Sequence, residues 1–202
     1  MIIDNANANS LDSQLEDGAT FLLARSSLNS GTEYLTMPFI APFVPCSVEI
    51  ADAALNFAKV DAWDVVGDLG CGDGRVLVQA LTGLLRPPQR AVGIELDPRL
   101  VEHLRQNVVT RFEKGKLAII ESDMFKVDLE ELGASVLVLY LLPDGLEKLK
   151  PQLTAWFKNG AESSLRRRIV TIAFSIPGWN CDRAVQVSRQ WLFYYDVREI
   201  RE

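Results

Sequence analysis

At 202 residues, 48% hydrophobic and 24% charged, the chain has the make-up of one ordinary globular domain with a core of its own. Its longest apolar run, Ala134–Leu142, falls well short of the roughly 18–20 residues that span a bilayer, so no membrane partner is expected. The net charge of −6 argues against general nucleic-acid binding, and three dispersed cysteines (Cys46, Cys71, Cys181) with a lone His103 suggest neither a disulfide framework nor a metal site.

In chain order, residues 1–35 read as an appendage to a single domain over 36–202, with a polar stretch Asn5–Ser10 and a helix expected over Leu11–Leu28. Acids precede the first arginine, Arg25, unlike a secretory signal or a transit peptide, so a cytoplasmic location is expected. Met37–Ser47 carries three prolines in eleven residues and reads as an extended arm. Ser47 then caps a helix in which Val48, Ala51, Leu55 and Ala58 recur at helical spacing.

Strands are expected over Trp63–Leu69, Ala91–Glu95, Leu117–Glu121, Ser135–Tyr140 and Arg168–Ile176. Helices are expected between them over Gly74–Leu84, from Pro98, a favoured first helical position, and over Pro143–Phe157. Ala184–Val187 and Trp191–Val197 add two more strands. The fold class is therefore α/β: a doubly wound, mostly parallel sheet covered on both faces, with an antiparallel hairpin on one edge. His103 reads as solvated on its helix, Arg166–Arg168 as a solvated loop or an acidic-partner contact, and the Trp191–Tyr195 aromatics as core.

The chemistry concentrates at three successive strand ends. Val65–Val76 runs from an apolar strand through Asp68 and a Gly70-x-Gly72-x-Gly74 loop into a helix. Such glycines permit sharp turns and close approach of a ligand, and the amides that follow attract an anionic group. Nicotinamide and flavin enzymes use G-x-G-x-x-G instead, so the spacing disfavours a dinucleotide. Glu95 ends the next strand, 25 residues after Gly70, where a carboxylate accepts from ribose hydroxyls. Asp123 ends the third, placed to take adenine amino hydrogens, with Met124 or Phe125 to pack on the ring.

An acid followed by G-x-G-x-G resembles the class I S-adenosylmethionine-dependent methyltransferases. F-V-P-C-S before the first core helix, D-L-G-C-G-D-G-R-V, V-G-I-E-L-D-P and F-S-I-P-G-W-N resemble a narrower group: the archaeal broad-specificity protein lysine methyltransferases and their animal mitochondrial relatives, which modify the adenine nucleotide translocase and the c-ring protein of ATP synthase. The resemblance covers roughly Pro42 to Asn180. It implies a Rossmann-like seven-stranded sheet with the last strand antiparallel, and S-adenosylmethionine as cofactor. It implies a cofactor set of Asp68, Gly70, Cys71, Gly72 and Gly74 around the methionine moiety, Glu95 and Leu96 at the ribose, and Asp123 with Met124 at the adenine. Ser47, on the arm, would lie near the cofactor carboxylate.

Two departures matter. Tyr140-Leu141-Leu142-Pro143 replaces the N-P-P-Y of amide- and adenine-directed enzymes, and the segments that tie the animal relatives to mitochondria are not recognisable at this N-terminus. The expected function is thus methyl transfer to lysine in a protein substrate, with a small-molecule acceptor or a non-catalytic cofactor-binding protein as the alternatives.

Methyl transfer from a sulfonium is an in-line displacement, for which the protein mainly aligns the nucleophile and excludes water. Tyr140 is the catalytic candidate, orienting the amine with its hydroxyl or packing at a strand terminus. Phe43 and Trp179 are candidate substrate walls; packing alone also accounts for each. Cys71 lacks a basic neighbour in sequence, which argues against a nucleophile.

Overall fold

A computed structural model describes residues 45–161 and 166–196. The helix expected over 11–28 and Phe43 lie outside the described residues. Helix α1, Val48–Phe57, starts where Ser47 Oγ accepts from the amide of Ile50 at 3.3 Å, and Glu49 in its first turn suits the positive end of the helix dipole. Its apolar stripe buries Ile50, Ala51, Ala54 and Leu55, while Asn56 stays outside.

The chain then alternates as expected: β1 (Val65–Leu69), α2 (Arg75–Thr82), β2 (Arg90–Glu95), α3 (Pro98–Asn107), β3 (Leu117–Glu121), β4 (Val136–Leu139), α4 (Pro143–Ala161), β5 (Arg168–Ile172), β6 (Arg183–Val187) and β7 (Gln190–Asp196). One seven-stranded sheet results, in the order β3-β2-β1-β4-β5-β7-β6. β1 pairs in parallel with β2 and β4, and β7 runs antiparallel to both β5 and β6. Topology thus switches between β1 and β4, and in open α/β sheets ligands bind beyond the strand carboxyl ends at such a switch.

Alternation along the buried strands sends side chains to two faces. Val136 and Val138 of β4 pack with Val170, Ile172 and α1, whereas Leu137 and Leu139 pack with Ile169 and the Leu146–Phe157 stripe of α4. The described residues from Cys46 onward form one unit built on this sheet.

Several boundaries differ from expectation for local reasons. Trp63 is not in β1: the Asp64 amide donates to Asp61 O and the Asp61 amide to Asp64 Oδ2, closing a turn that leaves Trp63 83% exposed. β5 stops at Ile172, because Ala173 adopts φ 70 and Thr171 Oγ1 donates to Phe174 O at 2.6 Å. Trp191 is 45% exposed, since β5 has ended beside it and β6 is an edge strand; it stacks on half-buried Phe193 instead of entering the core.

The basic run is the largest correction. Arg166–Arg168 is no solvated loop: Arg167 and Arg168 are buried, and each arginine has an acidic partner, Asp196, Glu130 and Asp64 respectively. Arg168 also donates to the carbonyls of Ala58 and Lys59, and Ser135 Oγ donates to Asp64 Oδ1 at 2.7 Å. This polar clamp ties the foot of β5 to the turn before β1 and to the end of α1. Removing one member of such a buried pair costs about 3–5 kcal/mol, because the other charge is stranded.

Candidate active site

The site is built around the end of β1. Gly70, Gly72 and Gly74 all have left-handed φ, at 80°, 57° and 77°, so each turn in the loop needs a residue without Cβ. The loop is held by main chain: the amides of Gly70 and Cys71 both donate to Ile94 O, at 2.8 and 2.9 Å. A Cβ at Gly70 would point toward Leu141 and Met124 Sδ at 3.6 and 3.9 Å, which puts the glycine floor, Met124 and the chain after β4 around one space. Gly74 caps α2 without a side chain, and Asp73 supplies the cap by accepting from the Arg75 amide at 3.1 Å.

Glu95 organises the second strand end. Its Oε2 accepts from the Gly72 amide at 2.8 Å, and its Oε1 from the amides of Leu96 and Asp97 at 2.8 and 2.9 Å. The carboxylate therefore bolts the glycine loop to β2. At the third end, Asp123 Oδ1 accepts from the Phe125 amide at 3.0 Å, while Oδ2 faces Lys126 at 3.7 Å. The Ser122 amide donates to Glu95 O at 3.0 Å, so the three strand ends form one continuous rim.

Asp68 is the electrostatic centre. It is 5% exposed. Burial, then the charges of Glu95 and Asp73, push its pKa up to about 8. A buried carboxylate crowded by two others fits a cation, and the S-adenosylmethionine sulfonium and ammonium groups are cations. The open floor at Gly70 fits the same molecule. Cys46 lies beside Asp68; burial and that charge push its thiol up to about 12. Burial likewise raises the Cys71 thiol well above its ordinary value, and a Cβ at Gly93 would fall 2.6 Å from Cys71 Sγ. Cys71 is thus packing against β2, in the protonated and unreactive form.

Arg75, which stands in the D-L-G-C-G-D-G-R-V motif without an assigned role, grips Asp73 at 2.5 Å and donates to Cys46 O at 2.5 Å, pinning the end of the arm to the loop. Ser47 is spent on the α1 cap. Tyr140 is half-buried just past β4 on the α1 face, and its hydroxyl accepts from Gln190 Nε2 at 3.0 Å. Trp179 packs on the opposite face, stacked on Phe157 at 5.7 Å and edge-on to Tyr195 at 5.9 Å. The two candidate acceptor residues therefore belong to different layers. Gln190 carried no sequence signal either: a lone glutamine after a turn is unremarkable until β7 is placed beside β5.

Comparison with known proteins agrees with this geometry. The ANTKMT methyltransferase domain model matches residues 68–183. A protein-lysine N-methyltransferase of Saccharolobus islandicus is 33% identical over 146 residues, covering 72% of this chain and 84% of its own. The adenine nucleotide translocase lysine N-methyltransferase of Mus musculus is 29% identical over 171 residues, covering 84% of this chain and 69% of its own. Among solved structures, an RNA methyltransferase from Salinibacter ruber in complex with S-adenosyl-L-homocysteine is similar at a TM-score of 0.65 and 33% identity, covering 79% of this chain and 97% of that one. With the loop, the acidic rim and these relatives together, the chain belongs to the ANTKMT methyltransferase domain family and is an S-adenosylmethionine-dependent methyltransferase.

Proposed function

We propose that the enzyme methylates the side-chain amine of lysine in a protein substrate. The observation that carries the acceptor class is the 33% identity to a relative named a protein-lysine N-methyltransferase, spread over 84% of that protein. In this reading Asp68, Gly70, Cys71, Gly72 and Gly74 surround the methionine part of the cofactor, with Ser47 near its carboxylate. Glu95 and Leu96 meet the ribose, and Asp123 with Met124 the adenine. Tyr140 meets the acceptor amine, and Phe43 and Trp179 wall the approach. Residues 36–202 form the catalytic domain, residues 1–35 its appendage, and the site of action is the cytoplasm. No helix among the described residues is long and apolar enough to cross a membrane.

The cofactor supplies an electrophilic methyl group; the chain's task is alignment and exclusion of water. A lysine amine attacks only when neutral, and its reference pKa is about 10.4. Desolvation in a half-buried crevice favours the neutral form, and a hydroxyl that accepts an N–H leaves the nitrogen lone pair free for the methyl carbon. No dedicated protein base is required.

The test is incubation of purified enzyme with methyl-labelled cofactor and a cell extract, followed by mass spectrometry. Methyl-lysine on intact proteins is the expected result. Label confined to metabolites, or to RNA as the name of the Salinibacter relative suggests, overturns the acceptor assignment.

A further inference from the structure

We infer that Gln190 is the positioning residue of the acceptor site, fixing the hydroxyl of Tyr140 in the direction that meets the incoming amine. The inference rests on the role given to Tyr140 above. β6 and β7 are joined by a two-residue turn, Ser188–Arg189, closed by the Val187–Gln190 pair, and Ser188 takes the left-handed φ of 52° that such a turn demands. Ser188 Oγ donates to Glu49 Oε1 at 3.0 Å, anchoring the hairpin tip on the first turn of α1. β5 lies between β4 and β7 in the sheet but ends at Ile172, where Ala173 turns away. Its early end opens the gap through which Gln190 Nε2 reaches Tyr140 Oη at 3.0 Å.

The chemistry of the pair suits an amine. The hydroxyl accepts from the Gln190 amide with one lone pair and keeps the other for an N–H of the acceptor. Turning the amide over lets the hydroxyl donate to Oε1 and leaves both lone pairs to the amine, so either arrangement orients an acceptor oxygen. Gln190 Oε1 is buried with no partner among the described residues. An apolar side chain would fill this position without that cost, and departures of this kind gather at working sites.

The experiment uses the full chain with Gln190→Leu, Tyr140→Phe and the double substitution. Calorimetry with S-adenosylmethionine and a melting curve should show each variant binding and folding like the wild type. Transfer of labelled methyl to extract protein should slow roughly tenfold in Gln190→Leu, the worth of one lost oriented hydrogen bond. The double variant should be no slower than Tyr140→Phe alone, since both substitutions break one unit. A wild-type rate for Gln190→Leu, or an additive double variant, overturns the inference. A wild-type rate for Tyr140→Phe beside a slow Gln190→Leu overturns the inference as well and also removes Tyr140 from the proposed function. Independently of any acceptor, 3-fluorotyrosine incorporated throughout should give a Tyr140 fluorine resonance, assigned by its loss in Tyr140→Phe. That resonance should move in Gln190→Leu; an unmoved resonance also overturns the inference.

Discussion

At the ends of β1, β2 and β3 the contacts are main-chain ones held at short range, whereas beside β4, β5 and β7 they join side chains that arrive from far apart. On the first side Gly72 and Glu95 are 23 residues apart, and the other bonds of the rim join amides to carbonyls or to the neighbouring carboxylate. On the second, Gln190 meets Tyr140 across 50 residues and Ser188 meets Glu49 across 139. A molecule that never changes can be met by backbone, whose geometry tolerates substitution elsewhere. In the proposed function the acceptor, which differs by name between relatives, is met by side chains, which substitution can alter singly.

The sharpest way to break this division is Gly70→Arg. The new side chain must occupy a left-handed backbone position and the space toward Met124 and Leu141, so cofactor affinity should fall at least a thousandfold, about 4 kcal/mol. Calorimetry showing a wild-type heat would mean the cofactor lies elsewhere. Glu95→Ala should act on fold and cofactor together, because three amides lose a charged acceptor; about 3 kcal/mol of stability should disappear in urea denaturation. A variant as stable as the wild type would show the rim to be held by other means.

The pH dependence of Asp68 comes next. Its pKa in the folded chain is raised to about 8, so the protonated form favours folding. That contribution is complete below the ordinary carboxylate value and is lost as pH rises through about 8. Cofactor binding should run the other way, since the cation needs an ionised partner: affinity for S-adenosylmethionine should drop by up to about tenfold per pH unit on acidifying from 8. Flat affinity between pH 6 and 8 would remove Asp68 from the cofactor's counter-charge. The smallest effect is expected for Cys71→Ala, about 1 kcal/mol of stability from the lost contact with β2 and no change in transfer rate at saturating cofactor. A large loss of rate would restore a chemical role to the thiol.

Legibility in the sequence follows the same division. The glycine loop, Glu95 and Asp123 are local signals: a strand ends, an acid or glycine stands there, and the position itself implies the ligand. The Ser47 cap, Pro98 at the first turn of α3 and the alternating strands were equally local, and the seven-stranded order agrees with them. Arg166–Arg168 misled because charge alone reads as exposure; the acids that bury two of these arginines stand 37 and 104 residues away. The early end of β5 was hidden because nothing about an alanine announces φ 70, and that ending, with the edge position of β6, leaves Trp191 exposed. Glu95 stood out as an acid at a strand end, but its bond to Gly72 was not legible, since nothing in the sequence pairs that carboxylate with an amide 23 residues before it.

The polar clamp at the foot of the sheet also sets a timetable for assembly. β1 is the first strand among the described residues and sits near the middle of the sheet, yet the turn before it waits for Ser135, 71 residues on, and for Arg168, 104 residues on. Pairing at such separations is slow, because the loop must be closed before any contact rewards it. A nascent chain emerging from the ribosome therefore holds Asp64 without its cation until nearly the whole domain has been synthesised. Arg168 supplies the partner that closes the foot of the sheet, and the β6–β7 hairpin lies beyond it in the chain.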